Sequence, residues 1–187
     1  SHCVHDILGR VQSGELAIDV PFIASNHRDL ESVARVYGIP FHHFPITADN
    51  RAAQEQAQIA LINEYKIDLV VLARYMIILG EAFSTAFSGR IINIHHAFLP
   101  AFIGAKPYHR AYERGVKLIG ATAHYVTADL DEGPIIEQEV VRVSHLDSIE
   151  DLTRKGGDVE KIALAHAIRR HIERKTLVFQ NRVVVFA

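Results

Sequence analysis

Apolar positions along the chain follow two rhythms. In residues 1–14, Val4, Ile7, Leu8 and Val11 fall at helical spacing and predict a helix. Residues 18–24 form an apolar run with one Pro, closing on Ser25-Asn26-His27, and read as a strand. Helical spacing returns over 30–37 and is stopped by Gly38 and Pro40, after which 41–46 predicts a short strand. Residues 51–65 hold Ala, Gln and Leu in helix-favouring proportion. Residues 67–73 are continuously apolar but for one Asp, the pattern of a strand covered on both faces. A short helix over 83–87 and a second buried strand over 90–95 follow. Strands alternating with helices across short connections predict an α/β fold with a doubly wound, mostly parallel sheet.

The second half changes pattern. Residues 108–114 predict a helix and 120–126 a strand. Residues 134–143 mix apolar Ile135, Ile136 and Val140 with polar Glu137, Gln138 and Glu139, and read as another strand. Residues 148–175 are amphipathic through Ile162, Leu164, Ala165, Ile168 and Ile172, with Gly156-Gly157 a candidate interruption. Residues 176–179 and 182–186 flank Gln180-Asn181 and predict a hairpin. There is no repeat, low-complexity tract or long linker, so residues 1–187 read as one domain. The chain opens in a helix, whereas a doubly wound domain usually opens in a strand.

Composition narrows the function class. A net charge of −2 gives no electrostatic footprint for nucleic acid. The single Cys, Cys3, rules out a disulfide within the chain. No secretory leader pattern and no apolar stretch near the ~20 residues of a membrane span is present, so a cytoplasmic protein without membrane contact is expected. The chain lacks G-x-G-x-x-G, Walker, G-x-S-x-G, H-E-x-x-H and Cys/His zinc patterns. Chemistry is therefore expected from polar side chains acting on a reactive ligand, with no metal and no covalent intermediate.

Four segments carry candidate chemistry. Asn93-Ile94-His95-His96 ends a buried strand, where alternation projects Asn93 and His95 together and Ile94 into the opposite layer. An amide beside an imidazole can stabilise an oxyanion while a proton moves, although both groups can equally serve backbone atoms at a strand end. His96 is expected to point away from His95. Residues 129–134 are what any polar turn uses, and gain a role only if a carboxylate there reaches His95. Residues 102–107, with Gly104 and Lys106, either admit a ligand to the backbone or make a tight turn. Residues 72–79 can wall a flat aromatic ligand or belong to the core.

Asn93-Ile94-His95 with Phe98-Leu99-Pro100, then His124-Tyr125-Val126-Thr127 and Leu130-Asp131-Glu132-Gly133-Pro134, resembles the folate-dependent formyltransferases and hydrolases. The similarity covers nearly the whole chain. It is greatest to the hydrolytic branch, through Ile91 to His109, residues 120–127 and residues 140–145. The resemblance implies a formyltransferase-like fold and hydrolysis of 10-formyltetrahydrofolate to formate and tetrahydrofolate, within one-carbon metabolism. Formyl transfer from the same folate to an amine such as glycinamide ribonucleotide, a step of purine biosynthesis, stays open. So does a non-catalytic folate-binding module.

The resemblance implies a catalytic trio of Asn93, His95 and Asp131, with His124 beside it. Arg74, Tyr75, Met76, Ile77 and Leu79 match the wall of the pterin pocket, and Gly104 its small-residue loop. Beyond the folate substrate it implies no cofactor and no metal, and it leaves a homo-oligomer open. The family's first strand and a ligand-sensing domain of the ACT type would both precede Ser1. Ile77 stands where relatives often carry a polar residue.

Overall fold

A computed structural model describes residues 2–101 and 106–187. The first half holds α1 (His2–Gln12), β1 (Ile23–Ser25), α2 (Glu31–Val36), β2 (Phe41–His43) and α3 (Arg51–Glu64). It continues through β3 (Val70–Ala73), α4 (Glu81–Ala86) and β4 (Ile91–His95). The second half holds α5 (Pro107–Arg114), β5 (Leu118–Tyr125), β6 (Ile135–Arg142), α6 (Ile149–Ile172), β7 (Thr176–Phe179) and β8 (Arg182–Val185). Among the described residues no helix is long and apolar enough to cross a membrane.

The doubly wound α/β expectation holds, with its parallel pairs in the first half. β1 pairs parallel with β2 and β3 with β4, whereas β5 and β6 extend the β3–β4 sheet antiparallel. Val70, Leu72 and Ile91 face α3 and α4 through Ile62, Phe83 and Phe87. On the other face Val71, Ile92 and Ile94 meet Cys3 of α1 and Val159, Leu164 and Ile168 of α6. Apolar packing on both faces is why β3 and β4 read as apolar runs without alternation. The strand expected over 18–24 shortens to Ile23–Ser25, since Pro21 has no N–H to give a ladder.

Helix α6 runs unbroken through Gly156-Gly157, against the expected interruption. Its start is fixed by a capping box between Ser148 and Asp151. Each internal Gly costs about 1 kcal/mol relative to Ala, an amount that the buried stripe of Leu152, Val159, Ala163, Leu164 and Ile168 outweighs. Gly156 has a packing reason: a Cβ there would lie 2.0 Å from the Tyr108 hydroxyl and 2.3 Å from its ring carbon.

Candidate active site

The site forms where β4 ends. Ile92 and Ile94 enter the α1–α6 layer, so Asn93 and His95 project together on the opposite face, as strand alternation predicts. Antiparallel register then sets His124 of β5 opposite Asn93 and Thr122 opposite His95. The β5–β6 ladder slips between Ala123 and His124, a local irregularity beside the site.

His124 is held at both ring nitrogens. Its Nδ1–H donates to the Tyr125 carbonyl at 2.9 Å, which leaves Nε2 to accept from the Asn93 amide at 3.2 Å. Burial pushes the His124 pKa below the ordinary imidazole range, against smaller opposing effects of the Tyr125 carbonyl and Asp131. His124 is thus neutral and fixes which way the Asn93 amide points. One Asn93 N–H remains for another acceptor.

The turn after β5 carries Asp131 into the site. Asp131 adopts a left-handed backbone, φ 57°, and Gly133 packs so closely that a Cβ would sit 1.8 Å from the Tyr125 carbonyl oxygen. Asp131 Oδ1 thereby comes 3.3 Å from His95 Nδ1 and 3.8 Å from His124 Nε2. The condition set on residues 129–134, a carboxylate reaching His95, is met. Burial pushes the His95 pKa down; Asp131 pulls it back and neighbouring His124 pushes it down again, leaving it below the ordinary range. The resting ring is therefore a neutral base. His95 Nε2 is buried and has no hydrogen-bond partner among the described residues.

His96 corrects an expectation. It does not point away: its ring stacks on His95 with centroids 5.0 Å apart and planes 20° from parallel. Strand geometry ends at His95 and the chain bends at His96, so neighbouring side chains no longer alternate as in a strand.

The segment after β3 begins with Arg74 in a left-handed conformation and presents Met76 and Ile78 to solvent. Leu79 packs onto the α3–α4 cluster, and Ile77 is half-buried. The Tyr75 hydroxyl is buried without a partner among the described residues. Gly104 lies outside the described residues.

Several supporting residues carry no motif. Buried Glu55 of α3 accepts the Gly80 N–H at 3.0 Å, and Arg51 donates both to Glu55 and to the Ile78 carbonyl, tying the 74–80 segment to the helix. Thr122 donates to the Ala97 carbonyl at 2.9 Å and accepts from Leu99 N–H at 3.0 Å. Gln138 donates to the Leu99 carbonyl at 3.0 Å, so β5 and β6 hold the turn beyond β4. The available signal was a polar residue at inward strand positions, which sequence alternation alone does not separate from solvent-facing ones.

Away from this group, donor atoms of His2, Cys3 and Glu160 lie within 4.8 Å of one another. Burial raises the Cys3 thiol pKa to about 12. Both Glu160 oxygens already accept hydrogen bonds, from His2 and from Tyr108, each at 2.7 Å. These contacts account for the cluster as a hydrogen-bonded network.

A family model described as formyl transferase matches residues 1–168. Among curated relatives, formyltetrahydrofolate deformylase of a Synechocystis strain is 61% identical across 100% of this chain and 65% of its own length. That of Bacillus subtilis is 50% identical across 99% and 62%. The chain thus spans under two thirds of the length of these relatives. A solved formyltetrahydrofolate deformylase from Pseudomonas syringae superposes with TM-score 0.97 at 51% identity, covering 100% of this chain and 63% of that one. Glycinamide ribonucleotide transformylase 1 from Symbiobacterium toebii superposes with TM-score 0.91 at 35% identity, covering 100% and 89%.

Proposed function

Because the chain belongs to the formyl transferase family, we propose that it hydrolyses 10-formyltetrahydrofolate to formate and tetrahydrofolate. The relatives with 45–61% identity named above and beside them are formyltetrahydrofolate deformylases, which supports hydrolysis over transfer. The observation that carries the chemistry is His95, on the strand face it shares with Asn93: its Nδ1 faces Asp131, and its Nε2 is buried with no hydrogen-bond partner among the described residues.

The formyl group on the folate nitrogen is an amide-like electrophile. Neutral His95 takes a proton from the attacking water through Nε2, and the imidazolium so formed faces the Asp131 carboxylate. The Asn93 N–H not engaged by His124 donates to the oxyanion that develops on the formyl oxygen. As the carbon–nitrogen bond breaks, His95 returns the proton to the departing folate nitrogen. Arg74, Tyr75, Met76, Ile77 and Leu79 are assigned to the pterin wall with Gly104; exposed Met76 and Ile78 offer apolar surface and the backbone its polar groups.

Formyl transfer to an amine is the second reading, favoured by the transformylase superposition over nearly the whole of both chains. The deciding experiment is formate release from formyltetrahydrofolate by the full-length protein with no amine added. Release that disappears in Asp131→Ala supports hydrolysis. No release, with formyl transfer once glycinamide ribonucleotide is supplied, replaces it with the second reading.

A further inference from the structure

Behind the catalytic imidazole lies a buried carboxylate that the reaction does not use. Glu160 of α6 is 4% exposed, yet charged: burial pushes its pKa up, but hydrogen bonds from His2 and Tyr108 outweigh that and hold it below the usual carboxylate value. Tyr108, at the start of α5, leans over α6 where Gly156 leaves room, and its hydroxyl meets Glu160 one helical turn further on. The Tyr108 ring centroid stands 6.3 Å from that of His96, which stacks on His95. Four residues on four elements or turns therefore form one run from α6 to the catalytic ring.

We propose that Glu160 is a positioning residue for His95, acting through Tyr108 and the stacked ring of His96. Among the described residues Asp131 is the one polar partner of the His95 ring, at 3.3 Å along one edge, and an imidazole held by a single polar contact can pivot about it. Stacked His96 restrains the ring plane, and Tyr108 bound to Glu160 keeps His96 in place. Aim of this kind matters because small misplacements of a catalytic group cost rate steeply.

The same carboxylate acts through space. Asp131, His124, His96 and Glu160 face His95, and Glu160 joins Asp131 in favouring its protonated form. His95, Glu160, Arg74, Asp131 and Tyr108 face His96, where Glu160 again opposes burial. Glu160 itself is faced by His2, Tyr108, His96 and Cys3.

The role in catalysis rests on the deformylase reading, whereas the coupling to His95 does not. The test is an imidazole NMR titration of the full-length protein and its Glu160→Gln variant, with steady-state formate release measured on both. In Glu160→Gln, His95 and His96 titrate at lower pH than in the parent. Turnover falls about tenfold at retained KM, short of the ~10² lost when acid–base catalysis is removed outright. Glu160→Asp, which keeps the charge, restores most of the titration. A folded Glu160→Gln protein whose His95 titrates as in the parent overturns the proposal.

If Glu160→Gln does not fold, Tyr108→Phe keeps the ring over Gly156 and removes only the bridging hydroxyl. Lower kcat at unchanged KM then supports the run, and parent-like kcat overturns it. If the parent releases no formate, the titration still decides: a shift upholds the coupling while the deformylase reading fails.

Discussion

Asp131 reaches His95 from a left-handed backbone position, φ 57°, with Oδ1 3.3 Å from Nδ1. A non-Gly residue held there costs on the order of 1–3 kcal/mol, less for Asp than for a branched residue. Among the described residues, the fold sustains that cost where a carboxylate meets the His95 ring, and the same contact leaves Nε2 facing away from Asp131. Strain in the turn and orientation of the imidazole are thus two sides of one arrangement.

Asn93 is tied to His124 through one amide hydrogen, which leaves the other for the proposed oxyanion. Asn93→Ala is expected to lower formate-releasing turnover by ~10²–10³, the usual loss for one oxyanion donor. Its thermal midpoint should stay close to the parent's, because the side chain is half-buried and belongs to none of the apolar clusters. Near-normal turnover in the variant removes Asn93 from the mechanism.

With His95 acting as a neutral base, kcat/KM should rise with pH through the His95 pKa and level off above it. Burial places that limb below the ordinary imidazole value. Asp131 favours the protonated ring, so Asp131→Asn withdraws that support and the limb moves to still lower pH while turnover drops. A pH–rate profile of the residual activity reads the direction, and a limb displaced to higher pH contradicts the pairing.

Gly133 tests the turn itself. An added Cβ would lie 1.8 Å from the Tyr125 carbonyl oxygen and 3.2 Å from His124 Nδ1, and backbone at a sheet end cannot yield that much. In Gly133→Ala the turn must lift, drawing Asp131 away from His95. Displacement of about 1 Å costs on the order of 10² in rate, so kcat should fall far more than stability does. Parent-like kcat would show that the turn has slack.

At Gly156 two effects of Ala oppose one another. Helix propensity favours Ala by about 1 kcal/mol, whereas overpacking costs about 1–3 kcal/mol. The added methyl would meet the hydroxyl, Cζ and Cε1 of Tyr108, a rigid ring rather than a flexible tip, so overpacking should win. Urea denaturation of Gly156→Ala should show net destabilisation, and a stabilised variant would mean that Tyr108 swings aside without cost.

The layered α/β fold was legible because β3 and β4 are packed against apolar clusters on both faces and say so as apolar runs. Asn93 and His95 were legible as a pair because strand period fixes their face. The stacking of His96 was not, since the period ends with the strand. The run through Gly156 in α6 was hidden because a glycine's packing partner, here Tyr108, is distant in sequence. Glu55 and Glu160 carry no signal in the helical pattern of their segments, and only tertiary packing shows them buried with partners on other elements.

Glu55 gives the sharpest separation between binding and chemistry. Its Oε1 accepts the Gly80 N–H at 3.0 Å, and a Cβ on Gly80 would stand 2.3 Å from Oε2, so helix α3 and the 74–80 segment fit closely. Glu55→Ala leaves that N–H without its acceptor, a loss of about 1–3 kcal/mol, and frees Arg51 from one of its two tethers. The segment is the proposed pterin wall and holds none of the trio. Its loosening should therefore raise KM for formyltetrahydrofolate roughly tenfold or more, since about 1.4 kcal/mol corresponds to tenfold, with kcat largely kept. Glu55→Gln keeps a carbonyl acceptor for Gly80 and should lie near the parent. If Glu55→Ala instead lowers kcat at constant KM, the segment acts on the reacting atoms rather than on the bound ring, and the assignment of Arg74 to Ile77 as a binding wall has to be given up.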